Sequence, residues 1–126
     1  MNDLRFDGQV ALVTGAGRGL GRAHARLLAA RGCTVVINDL GSAFDGTGAA
    51  IGRVADEVVA LIQAEGGKAT ANYDSVENGQ AIIDDVMATH GRLDIVINNA
   101  GILTPEVWSE LTLESWQRTL NVNLTG

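Results

Sequence analysis

Eight residues, Thr14-Gly-Ala-Gly-Arg-Gly-Leu-Gly21, have the types and spacing to hold an anionic ligand. They follow the apolar run Val10-Ala-Leu-Val13 and open a segment with Leu20, Ala23, Leu27 and Leu28 on one helical face. A strand, a glycine turn and a helix in that order form a phosphate cradle. The first N–H groups of a helix have no intrahelical partner, and the helix dipole adds partial positive charge there. Gly15, Gly19 and Gly21 let a pyrophosphate approach the main chain. No Lys-Ser/Thr pair follows the last glycine, so the pattern is not that of a nucleoside-triphosphate loop. It points to a dinucleotide.

Asp39 closes a second apolar run, where a dinucleotide fold sets a carboxylate against the adenosine ribose. Hydrogen bonds to a charged group contribute about 1.5–3 kcal/mol, and the same charge repels the 2′-phosphate of NADP. The competing reading is a strand-end Asp satisfied by turn amides. Arg18 pulls towards NADP, but an exposed Arg contributes only about 0–1 kcal/mol. NAD is therefore favoured over NADP. Asp74 reads as a helix N-cap in a box with Glu77, and also as an acceptor for the adenine amino group. Asn98-Asn-Ala-Gly101 ends a fourth run in a small-residue turn, either structural or laid against the nicotinamide ribose. His24 and His90 have no second ligand at useful spacing, so no metal site is expected. Cys33 reads as a core residue, Asp56-Glu57 and Asp84-Asp85 as solvated helix faces, and Trp108 and Trp116 as packing residues.

Four short apolar runs must position these groups: Val10–Val13, Thr34–Ile37, Lys68–Ala71 and Asp94–Ile97. Their brevity and lack of polar alternation predict parallel strands buried on both faces. Helices are predicted over Gly19–Arg31, capped by Gly32, over Ala49–Glu65 before Gly66-Gly67, and over Val76–His90 before Gly91. In the second, Ile51, Val54, Ala55, Val58 and Ile62 form the apolar face; in the third, Ile82, Ile83, Val86 and Met87 do. Pro105 predicts a short helix, and Thr112 the cap of a last one running towards Gly126. This alternation predicts an α/β fold with a doubly wound parallel sheet of strand order 3-2-1-4. The switch point then lies beside the first strand, at the glycine loop.

The chain has 126 residues, 46% hydrophobic and 19% charged, which suits one packed domain. Its net charge of −6 argues against nucleic acid or an anionic membrane as partner. One cysteine excludes an internal disulfide, and no apolar run approaches membrane-spanning length.

Taken in order, Thr14-Gly-x-x-x-Gly-x-Gly21, Asp39, Asp74, Asn98-Asn-Ala-Gly101 and Asn121-Val-Asn-Leu-Thr-Gly126 resemble successive motifs of the short-chain dehydrogenase/reductase family. Arg5-Phe-Asp-Gly8, Val36-Ile-Asn-Asp-Leu-Gly41, Ala71-Asn-Tyr-Asp-Ser-Val76 and Asn99-Ala-Gly-Ile-Leu103 look most like the dehydrogenase domain of peroxisomal multifunctional β-oxidation enzymes. The resemblance implies phosphate contacts at Gly15, Arg18, Gly19, Leu20 and Gly21, and ribose contact at Asp39. It implies adenine contact at Asp74 and Ser75, and nicotinamide-ribose contact at Asn99 with Ala100 and Gly101. Asn123 matches the asparagine of the family's catalytic set, which helps hold a proton-relay water. The family's Ser and Tyr-x-x-x-Lys have no match, since Tyr73 is the only tyrosine and Lys68, the only lysine, precedes it.

The chain is therefore expected to be the truncated N-terminal cofactor-binding part, residues 1–126, of a single NAD-dependent dehydrogenase domain. The complete protein would act on a secondary alcohol or ketone such as a 3-hydroxyacyl-CoA or hydroxysteroid. It would be homo-oligomeric, and cytoplasmic unless a C-terminal peroxisomal signal follows. The alternative is a non-catalytic NAD-binding or interaction module. A methyltransferase-type domain binding S-adenosylmethionine fits less well, because its loop lacks this glycine spacing. The fourth strand is expected at an open edge, and the 126 residues alone are expected to associate or to be marginal in stability.

Overall fold

Aliphatic and β-branched residues over Val10–Thr14 (β1), Thr34–Asn38 (β2), Lys68–Asn72 (β3) and Ile95–Ile97 (β4) pair into one parallel sheet of order β3-β2-β1-β4. This computed structural model describes residues 4–41 and 53–126. The predicted topology holds, and β1, flanked on both sides, is buried along its length. Helices Gly19–Ala30 (α1), Arg53–Ala64 (α2), Gly79–His90 (α3) and Leu113–Leu120 (α4) alternate with the strands or follow them. Residues of α1 and α2 pack on the sheet face carrying Ala11, Val13, Val35 and Ile37. Ile82 and Val86 of α3 cover the opposite face, against Val10, Leu12 and Val36.

Three strands run one residue further than the apolar runs. Thr14, Asn38 and Asn72 stand in register across β1, β2 and β3, all buried. Each is the polar residue just after an apolar run, and the ladder extends to include it.

α1 seats itself differently from the expected face. Gly21, Ala25 and Ala29 are the buried positions, whereas Leu20 and Leu27 are exposed. These small residues recur every four positions, a stripe that lets the helix lie close to the sheet; leucines there would hold it off. Its end is as predicted. Gly32 N–H donates to the Ala29 carbonyl and Cys33 N–H to the Leu28 carbonyl, the paired bonds of a Schellman cap. α2 buries Ala55, Val58 and Ile62 as expected; its predicted start at Ala49 and its residue Ile51 lie outside the described residues.

Three further expectations need correction. Pro105 opens no helix: residues 101–107 are irregular and a 3₁₀ turn forms only at Trp108–Glu110. Asp74 does not cap α3; Ser75 instead accepts from Glu77 N–H and starts a 3₁₀ turn at Val76–Asn78 that leads into the helix. Trp108 and Trp116 are 86% and 50% exposed, so in this chain they do not pack in the core. Thr112 does cap α4, in a box completed by Ser115. Cys33 is buried in the core, and burial pushes its thiol pKa up. Among the described residues no helix is long and apolar enough to cross a membrane.

β4 lies at the sheet edge with Val96 47% exposed, and further apolar side chains stand out at Leu113 and Leu124. Unpaired apolar edges promote association. Light scattering on the 126-residue chain should therefore show mass rising with concentration, and Val96→Lys should lower it. A monodisperse monomer at all concentrations would contradict this.

Asp94 ties β4 to the start of β1 by accepting from Val10 N–H at 2.8 Å and pairing with Arg92. The Arg92 hydrogen bonds, then the Val10 amide, hold its carboxyl below the usual range. A depressed folded pKa stabilises above the unfolded value and is lost as pH falls through the folded one. The urea midpoint should be flat from about pH 7 to 5 and fall below about pH 4, with Asp94→Asn removing part of that drop.

Candidate cofactor site

The N-terminus of α1 is open. Its N-cap, Arg18, is extended and makes no side-chain capping bond to the first-turn amides. Gly19 has φ +56°, and nothing lies within 4 Å of where a Cβ would stand. A residue other than glycine would be strained there and would fill the space a phosphate needs. Gly15 and Gly21 serve a different purpose. A Cβ on Gly15, at φ +61°, would lie 2.9 Å from Ala100 Cα, and one on Gly21 would lie 2.5 Å from Asn99 Nδ2. They allow the glycine loop, α1 and the loop after β4 to touch.

Thr14 fastens that contact. Its hydroxyl oxygen accepts from the backbone N–H groups of Asn99 and Ala100, both at 3.0 Å. Asn99 in turn donates its Nδ2 to the carbonyls of Thr14 and Gly15. The Asn99 amide nitrogen thus faces the loop.

At the end of β2, Asp39 Oδ2 accepts from Gly17 N–H at 2.9 Å and Oδ1 from Gly41 N–H at 2.8 Å. The alternative reading of a strand-end carboxylate held by turn amides is therefore observed. It is compatible with ligand binding, because each carboxylate oxygen keeps a further lone pair. A Cβ on Gly17 would lie 2.6 Å from Asp39 Oδ2, so glycine is required there too. Asn38 donates to Asn72 Oδ1 and to the Asp74 carbonyl; Asn72 donates to the carboxylates of Asp74 and Asp85. Asp85 is thus a structural acceptor in place of a merely solvated group.

These elements enclose a cleft of about 370 Å³. Gly15, Arg18, Gly19 and Leu20 line it from the glycine loop, Asp39, Asp74 and Ser75 from the ends of β2 and β3, and Asn99, Ala100 and Gly101 from the loop after β4. Gly21 sits behind it as a packing residue. Asn123 stays outside it: its Oδ1 accepts from Ile102 N–H and its Nδ2 donates to the Ile102 carbonyl, clamping that loop. Sequence reasoning gave no individual role to Thr14, Gly17, Asn38, Asn72, Leu40 and Arg118. For the first four the available signal was a glycine or single polar residue at the edge of an apolar run.

Tyr73 hydrogen-bonds Asp56, which raises its pKa, and Lys68 is exposed at the start of β3. Neither lines the cleft.

The sequence pattern of the family described as short chain dehydrogenase matches residues 9–126. Peroxisomal multifunctional enzyme type 2 of Mus musculus is 52% identical over 123 residues, spanning 98% of this chain and 17% of the mouse enzyme. The crystal structure of a short chain dehydrogenase from Mycobacterium paratuberculosis bound to NAD superposes with TM-score 0.82 at 32% identity, covering 94% of this chain and 46% of that one. A metagenomic short-chain oxidoreductase in complex with NADP gives TM-score 0.80 at 32% identity, covering 94% and 51%. The chain thus spans about half or less of each of these relatives.

Thr14→Val removes a buried oxygen that serves two amides; Asn99 N–H keeps the Ile97 carbonyl, while Ala100 N–H is left unsatisfied at a cost of about 1–3 kcal/mol. Urea unfolding should show a loss of roughly 1–3 kcal/mol, and Thr14→Ser should restore most of it. A valine variant as stable as the parent would remove Thr14 from its anchoring role.

Proposed function

Because the chain belongs to the short-chain dehydrogenase family, we propose that it forms the dinucleotide-binding part of an oxidoreductase using NAD. The observation that carries this reading is the uncapped α1 N-terminus with open space at Gly19, facing a cleft that Asp39 also lines. The amides of Gly19 and Leu20, with Arg18, hold the pyrophosphate. Asp39 accepts from the adenosine ribose hydroxyls, its carboxylate already oriented by Gly17 and Gly41. Asp74 and Ser75 meet adenine, and Asn99, Ala100 and Gly101 flank the nicotinamide ribose. Gly15 and Gly21 shape this site by close packing, and Asn123 fixes the segment around Ile102.

When bound, the nicotinamide ring exchanges hydride with a secondary alcohol or its ketone. The resemblance to multifunctional β-oxidation enzymes supports a 3-hydroxyacyl-CoA or hydroxysteroid as substrate. Homo-oligomerisation of the complete protein is part of the proposal, as the family resemblance implies. Residues 1–126 are the N-terminal part of one such domain.

A second reading is favoured by Tyr73. The general acid/base of this chemistry needs a tyrosine with a lowered pKa, and hydrogen bonding to Asp56 shifts Tyr73 the other way. These 126 residues by themselves therefore bind the dinucleotide without turning over alcohol.

Isothermal titration with NADH and NADPH tests both. NADH should bind at least about tenfold tighter than NADPH, and Asp39→Ala should erase most of that gap. A clear NADPH preference would remove the role given to Asp39. Alcohol turnover by the 126-residue chain would overturn the second reading.

A further inference from the structure

Asp85 lies on α3, outside the cleft, and takes part in none of the ligand roles above. Its Oδ2 accepts from Asn72 Nδ2 at 2.9 Å, and the same nitrogen donates to Asp74 Oδ2 at 3.1 Å. Asn72 is 3% exposed, and its Oδ1 accepts from Asn38 Nδ2 and from Asp74 N–H. Its side-chain amide thus makes all four hydrogen bonds open to it. The two protons of an amide nitrogen point in fixed, different directions. Asp85 takes one, so the other is left for Asp74 and sets where that carboxylate stands. Asp74 lines the cleft, and a change on α3 therefore reaches the cleft through one buried amide.

We propose that Asp85 is a positioning residue for the adenosine end of the dinucleotide: through Asn72 it orients the Asp74 carboxylate and so sets affinity there. The inference rests on the adenine role given above to Asp74 and adds a residue that touches no ligand. Turning the Asn72 amide over would set its Oδ1 against two carboxylates and its Nδ2 against two donors, so its partners hold it in one sense. Without Asp85 a buried proton loses its acceptor. An amide that turns towards another acceptor carries Asp74 with it, because the Asp74 side chain and N–H both bond to that amide. Asn38 holds the Asp74 carbonyl by a separate bond, which keeps the end of β3 in place while the carboxylate moves.

NADH titration of the full chain, read by the change in nicotinamide fluorescence, tests this as a double-mutant cycle. Asp85→Ala should weaken binding about fivefold, Asp74→Ala about tenfold, and the double variant no more than Asp74→Ala alone. Asp85→Asn, whose carbonyl oxygen can still accept from Asn72, should bind within about twofold of wild type. Wild-type affinity in Asp85→Ala would overturn the proposal. Losses that multiply in the double variant would also overturn it, since they mark an effect that bypasses Asp74. Melting curves without ligand identify a variant that does not fold; Asp85→Leu, which also lacks an acceptor, then takes the place of Asp85→Ala. If Asp74→Ala binds as wild type does, the adenine role of Asp74 fails and the proposal with it. Failure of the wild-type chain to bind either NADH or NADPH would instead remove the dinucleotide reading itself.

Discussion

The hydroxyl of Thr14 joins the two halves of the cleft. It takes two backbone N–H groups from the loop after β4, and Asn99 returns two bonds from its side-chain amide to the glycine loop. Those groups are partly buried, so a small shift that broke these bonds without admitting water would leave them unsatisfied. The contact is possible only because Gly15 and Gly21 have no Cβ where Ala100 and Asn99 press against them. Glycine spacing here is a packing requirement as much as a ligand requirement. Gly19 alone of the three faces open space, and it is the one left for a phosphate.

An acidic chain must still bind an anion. Net charge −6 opposes it at long range, but screening limits that field to about 10 Å at ordinary salt. Inside the cleft the local groups decide. The first-turn amides of α1 and the Arg18 guanidinium supply positive potential to the cleft. Asp39 would cancel part of it, yet two amides donate to its oxygens and hold them on the β2 side of the loop. Gly17 N–H is thereby spent on the carboxylate, and the phosphate reading falls on Gly19 and Leu20. Cofactor choice and cradle geometry are coupled through this one carboxylate.

Sheet order, the glycine loop, the α1 end at Gly32 and the Thr112 cap could all be read from the chain, because each depends on local pattern. What was illegible depends on register or on fit. The face of α1 was misread because Leu20 and Leu27 are the hydrophobic residues, whereas the sheet selects for the small ones. Asp74 and Glu77 have capping-box spacing, but a 3₁₀ turn intervenes and Ser75 takes the cap. Asp85 looks solvated in sequence and is an acceptor only because Asn72 lies beneath it. The cleft residues themselves were largely legible; what holds them was not.

The row Thr14–Asn38–Asn72 shows why the supports hide. Each residue ends a separate apolar run, and only parallel pairing sets the three side by side. Buried polar groups in such a row must bond to one another or to the loops above them. Thr14 bonds upward to the β4 loop, while Asn38 and Asn72 bond sideways and then to Asp74. The position of Asp74 is therefore set by strand register through two amide side chains. A one-residue slip of β3 would turn Asn72 to the other face, and Asn72 and the Asp74 carbonyl would both lose Asn38 as donor. The apolar core fixes that register, since the same slip would expose the inward-facing residues of β3. Core packing and the adenine end of the proposed site are thus one constraint, expressed at successive positions of the same strand.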